Sequence, residues 1–112
     1  MKAYELIEIK DKWVTYTYAA FFDLARGQLQ SLSPWHGGAN RWSMEGAIMR
    51  CYGSKMGDPA YAAAINKVHD VLVKKYSNKD GRGEFTASIS QFNDNEAVTH
   101  EMVIAILKEA DV

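Results

Sequence analysis

The opening ten-residue stretch after Lys2, AYELIEIKDK, sets Tyr4, Leu6, Ile7 and Ile9 among charges. That spacing predicts a short helix over 3–12 with Ala3, Leu6 and Ile7 facing inward. From Trp13 the pattern changes. WVTYTYAAFF is rich in β-branched and aromatic residues, DLARG offers a Gly-ended turn, and QLQSL alternates apolar with polar, which together predict a β-hairpin. SPWHGGAN interrupts regular structure through Pro34, Gly37 and Gly38, and Asn40 is the expected N-cap of a helix from about Arg41 to Tyr52, closed by Gly53. Asp58 and Pro59 then open a longer helix, the first as N-cap and the second where its missing N–H costs nothing. Tyr61, Ile65, Val68, Leu72 and Tyr76 recur there at steps of three and four, giving one apolar face. Lys74 and Lys75 fall in its last turn, where positive charge suits the free carbonyls. SNKDGRGEF reads as a loop, and a last helix begins after Thr99 with Met102, Val103, Ile106, Leu107 and Ala110 as its stripe. The expected fold is mainly α (α+β), with about four helices and one β-hairpin between the first and second, formed by residues 1–112 as one small domain.

Length and charge narrow the field of functions. A chain of 112 residues can bury one hydrophobic core without disulfides or a structural metal. Thirteen basic against fourteen acidic residues, with a pI near 6.3, give no bulk signal for nucleic acid or an anionic membrane. No apolar run approaches the roughly 18 residues that span a bilayer. The lone cysteine, Cys51, excludes an internal disulfide, and the charged, alternating start is unlike a leader, so the expected location is cytoplasmic.

Several motifs invite chemistry and resist it. NKDGRGEFTASI follows a helix as a calcium loop does, yet it would put Arg82 among the ligands and Ile89 at the closing position, where a glutamate normally gives two oxygens. His36, His69 and His100 fall on three different predicted elements, with no pair at metal-ligand spacing; no metal or cofactor is expected. Cys51, beside Met49 and Tyr52 near a helix end, reads as a small apolar filler rather than a nucleophile. HGGAN ahead of a helix could present N–H groups to an anion but lacks the lysine of a nucleotide loop. Trp42, Gly46 and Met49 would share one helical face. A glycine inside a helix costs about 1 kcal/mol relative to alanine, so Gly46 implies a close crossing.

ANRWSMEGAIMRCYG, YAAAINKVHDVL and ISQFNDNEAVTHEMVIAILKEA together resemble DUF6197, a small family of unknown function in bacteria and their phages. The resemblance implies a leading helix, an Ala-rich hairpin carrying Ala20, Asp23 and Gly27, a helix with Trp42, Gly46 and Ala47, and a late Phe92-Asn93-Asp94 followed by Thr99 and an amphipathic helix. Ser43 stands where the family usually has cysteine, and Phe92 where it often has tryptophan. The resemblance implies no activity.

The polar knot Asn93-Asp94-Asn95-Glu96 reads as a joint: Asn93 and Asp94 end one short helical turn and Thr99 caps the next helix. By spacing alone, no acid–base pair, nucleophile arrangement or phosphate loop is supported, so the leading expectation is a non-catalytic binding protein, and the resemblance implies a phage or prophage accessory factor. Its pocket would lie between the hairpin and the Trp42 helix, lined by Tyr16, Tyr18, Trp35, His36 and Trp42, and would hold a small planar or anionic ligand. One alternative is an interaction module that inhibits a host protein through an aromatic surface. The other is a small hydrolase-like enzyme using Asp94 and His100.

Overall fold

A computed structural model of the chain describes residues 1–53, 57–76 and 88–112. Most of the calcium-like loop falls outside them, although its closing position, Ile89, is buried in the core. The elements run α1 (Ala3–Leu6), a 3-10 turn (Lys10–Lys12), β1 (Ala19–Asp23), β2 (Gln28–Leu32), β3 (Arg41–Trp42), α2 (Met44–Tyr52), α3 (Pro59–Tyr76), α4 (Ile89–Asp94) and α5 (His100–Ala110). Five described helices thus accompany a three-stranded antiparallel sheet of order β2-β1-β3, where the sequence predicts about four helices and a hairpin alone.

The helices form where the caps allow. Ser43, not Asn40, caps α2: its Oγ accepts from Gly46 N at 3.0 Å. Asn40 instead works as a piece of sheet, its Oδ1 accepting from Phe22 N at 2.9 Å and its Nδ2 donating to Phe22 O at 3.2 Å. A side-chain amide can mimic the peptide group, which makes asparagine fit a strand edge as readily as a cap. Trp42 consequently lies on β3 rather than on a helical face with Gly46 and Met49. Thr99 does cap α5, accepting from Met102 N at 3.2 Å, and Gly53 closes α2. Asp58 receives the N–H of Ala60 at 3.0 Å just before α3. The first predicted helix shortens to α1 and the 3-10 turn, with Ala3 and Ile7 fully buried.

The core gathers the inner faces of all five helices. Ile48 and Met44 of α2 meet Val68 and Leu72 of α3, Phe92 of α4 and Val103, Ile106 and Leu107 of α5, all fully buried. These side chains carry most of the hydrophobic stabilisation, at about 25 cal/mol per Å² of apolar surface removed from water. The sheet attaches to this core through Ala19 and Trp42, whereas the outer half of the hairpin projects into solvent. Among the described residues no helix is long and apolar enough to cross a membrane.

Candidate functional site

The segment 14–18, rich in residues that favour strands, forms no ladder before Ala19. It is held instead by side chains reaching from α4 and by the first turn of α2. Asn93 is 1% exposed, and its amide is fully used. Its Oδ1 accepts from Trp13 Nε1 at 2.7 Å and from Met44 N at 3.0 Å, while its Nδ2 donates to Val14 O at 3.1 Å and Asp94 Oδ1 at 3.0 Å. One side chain therefore ties three distant pieces of chain together. The knot is a joint, as the sequence implies, but a tertiary one. Asn93 serves the backbone of other elements instead of capping its own helix. Asn95, by contrast, makes a local turn by accepting from Ala97 N at 2.8 Å.

Asp94 carries the same segment one step further. Its Oδ1 accepts from Tyr16 N at 2.7 Å, and Tyr16 adopts a left-handed conformation with φ of 66° while its residue surface is 73% exposed. For a side chain with a Cβ, that region costs about 1 kcal/mol or more unless its surroundings enforce it. Two residues on, Tyr18 O accepts from Ser43 N at 3.0 Å. This contact brings the segment against the glycine of α2.

Between segment and helices lies a cleft of about 380 Å³ lined by Tyr16, Thr17, Tyr18, Ser43, Ser90, Asn93 and Asp94. The lining is made of hydroxyls, an amide and a carboxylate, with no lysine, arginine or histidine among these residues. Beside it, Glu45 Oε1 accepts from Tyr61 OH at 2.9 Å, and its Oε2 accepts a short hydrogen bond from Ser90 Oγ. Burial, and then the hydrogen bond to Glu45, holds the Tyr61 hydroxyl protonated well above its ordinary range. The folded state therefore binds this proton more tightly than the unfolded chain does. The associated stability is complete below the ordinary value of 10.0 and is lost as pH rises beyond it toward the folded value. Urea titrations from about pH 8 to about pH 11 should show an alkaline loss that is smaller in Tyr61→Phe. An identical alkaline limb in both proteins would contradict this.

The five aromatic residues predicted as one pocket separate. Tyr16 and Tyr18 line the cleft. Trp35 turns its Nε1 to the end of α2, donating to Met49 O at 3.0 Å and in a shorter bond to Gly53 O. Trp42 is buried and donates to Pro34 O at 3.1 Å. His36 stays exposed, its Nδ1 accepting from Gly38 N at 2.9 Å. Two tryptophan N–H groups thus satisfy backbone carbonyls, as buried indoles generally must. His100 and Asp94 also have separate engagements: His100 Nε2 lies 2.6 Å from Ile7 O and its ring rests against Trp13, with centroids 5.7 Å apart. Burial pushes the Cys51 thiol up, the reverse of what a nucleophile needs. No group of three or more histidine, cysteine, aspartate or glutamate side chains suited to a metal ion occurs among the described residues.

Beside Tyr16 and Tyr18 the lining adds Asn93 and Asp94, which the sequence marks as a joint, and Thr17, Ser43 and Ser90, which it marks as part of no pocket. Only Ser43 carries a usable signal, because a serine three residues before Gly46 can cap a helix that begins at Met44. A family model described as a family of unknown function, DUF6197, matches residues 1–111. No curated protein and no solved structure matches the chain.

Proposed function

The chain belongs to the DUF6197 family of unknown function, and we propose that it is a small binding protein whose ligand sits in the cleft lined by Tyr16, Tyr18 and Asp94. The observation that carries this reading is Tyr16: an exposed aromatic residue in a costly left-handed conformation, fixed by a carboxylate that lines the cleft with it. Backbone strain of this kind concentrates at ligand sites, where the surrounding fold sustains it. Tyr16 and Tyr18 offer planar apolar surface, and the hydroxyls and Asp94 offer mostly acceptors. A lining that holds a carboxylate and no cation favours a planar ligand bearing N–H or O–H donors over an anion. The ligand is held and not converted.

A thermal-shift panel of nucleosides and aromatic amines, set against the matching monophosphates and inorganic phosphate, tests this reading. The expected result is stabilisation by donor-bearing planar compounds and none by phosphate. Asp94→Asn keeps an oxygen for Tyr16 N while removing the charge, and should weaken binding about tenfold, equivalent to about 1.4 kcal/mol; Tyr16→Ala should do at least as much. Preferential binding of the phosphates, with His36→Ala or Trp35→Ala abolishing it, would move the site to the Gly37-Gly38 loop. Turnover of a bound compound would replace the binding reading by an enzymatic one.

A further inference from the structure

Among the described residues, nothing pairs with the outer edge of the sheet along β2. On β1, Ala20 and Phe22 face β3 and its approach: Ala20 O accepts from Asn40 N at 2.9 Å, and Phe22 uses both its N–H and its carbonyl on the Asn40 side chain. Backbone groups alternate along an antiparallel strand, so Ala19, Phe21 and Asp23 face β2. Their partners Leu32, Gln30 and Gln28 face back toward them. This leaves the N–H and C=O of Leu29 and Ser31 aimed outward at the free edge. Residues 28–31 are all exposed.

We propose that this edge pairs with β2 of a second copy of the chain, antiparallel about a twofold axis at Gln30. In that register Leu29 meets the partner's Ser31, and Ser31 meets the partner's Leu29. These are the two residues whose backbone groups point outward, so both become hydrogen-bonded pairs. Gln30 then faces its own copy as a non-hydrogen-bonded pair. The strand is complementary to itself in charge as well, since Gln-Leu-Gln-Ser-Leu holds no ionisable residue and brings no like charges together. Exposed edges are usually blunted by lysine, proline or a bulge; the sequence of β2 contains neither lysine nor proline. Asp23 and Arg26, at the hairpin tip, already pair with each other at 3.8 Å. Leu29, 50% exposed, opposes Phe22 within the hairpin and would lie diagonally across the axis from the partner's Leu29, on the same face of the sheet. Two sheets of three strands would become one of six, an isologous interface of the kind twofold dimers use.

Sedimentation velocity on the full chain from about 1 to about 500 µM should show a mass rising toward twice 12.6 kDa. Gln30→Lys leaves the exposed position free to fold but opposes two like charges at the axis, and should weaken association about tenfold with an unchanged thermal midpoint. In a Cys51→Ser background, Gln30→Cys should form an intermolecular disulfide readily, because a non-hydrogen-bonded pair sets Cα atoms about 4.5 Å apart. Gln28→Cys, which would face the partner's Leu32, should not. A chain that stays monomeric throughout, association unaffected by Gln30→Lys, or equally fast crosslinking at positions 28 and 30 would overturn the proposal.

Discussion

Gly46→Ala is expected to destabilise the protein by about 3 kcal/mol, near the upper end of what overpacking usually costs. The reason is geometric. A Cβ on Gly46 would lie 1.7 Å from Tyr18 O and 2.7 Å from Tyr18 C, distances that real carbon atoms do not reach. The obstacle is backbone, so no rotamer change relieves it. Either the 14–18 segment must lift from α2, breaking the Ser43 N to Tyr18 O hydrogen bond, or α2 must withdraw from the core. Helix propensity works the other way, since alanine gains about 1 kcal/mol over glycine in a helix interior. The clash should dominate because it involves a buried helix and a carbonyl already fixed by another bond. Urea denaturation measures the difference directly. A loss below about 1 kcal/mol would mean that the segment yields without cost.

For Asn93→Ala the expected loss is also about 3 kcal/mol or more, from a different cause. Removing the amide strips Trp13 Nε1, Met44 N and Val14 O of a partner in a part that water hardly reaches. A buried donor or acceptor left without a partner costs about 1 to 3 kcal/mol, and relaxation or an entering water offsets only part of that. Loss of a helix cap alone costs about 1 kcal/mol, and the additional partners across the chain account for the larger figure. Asp94→Asn is the informative contrast, because its Oδ1 acceptor survives and stability should change by less than about 1 kcal/mol. Equal losses in Asn93→Ala and Asp94→Asn would show that charge, not the shared amide network, holds the joint.

The long helices are legible because their signals are local. Pro59, preceded by Asp58, and the stripe Ile65, Val68 and Leu72 announce α3 within one stretch of chain, and Thr99 with Val103, Ile106 and Leu107 does the same for α5. Gly46 is also readable: its cost inside a helix demands a close neighbour, and the neighbour proves to be Tyr18 O. The hairpin follows from strand-forming residues on both sides of Gly27, whose φ of 65° a turn can use. Strand β1, however, begins only at Ala19, although the strand-favouring composition extends back to Trp13. Propensity describes which residues suit a pleated surface, and a ladder also requires a partner strand beside them.

The candidate cleft was only half legible for that same reason. Tyr16 and Tyr18 could be suspected from their chemistry, but their company could not be read from spacing. Trp35, His36 and Trp42 are close to them in sequence, yet the two indoles are drawn away by the carbonyls of Met49, Gly53 and Pro34. Asn93 and Asp94, some eighty positions along the chain, arrive in their place: Asn93 reaches Trp13 and Asp94 reaches Tyr16. Local signals suffice for α3 and α5, for the caps at Gly53 and Thr99 and for the turn of the hairpin, since each depends on backbone preferences and periodicity over a few neighbouring residues; they do not reach α4 or the start of α2 at Ser43. Which polar groups meet depends on long-range packing, because a buried donor must find an acceptor wherever packing leaves one, and that choice involves the whole core at once.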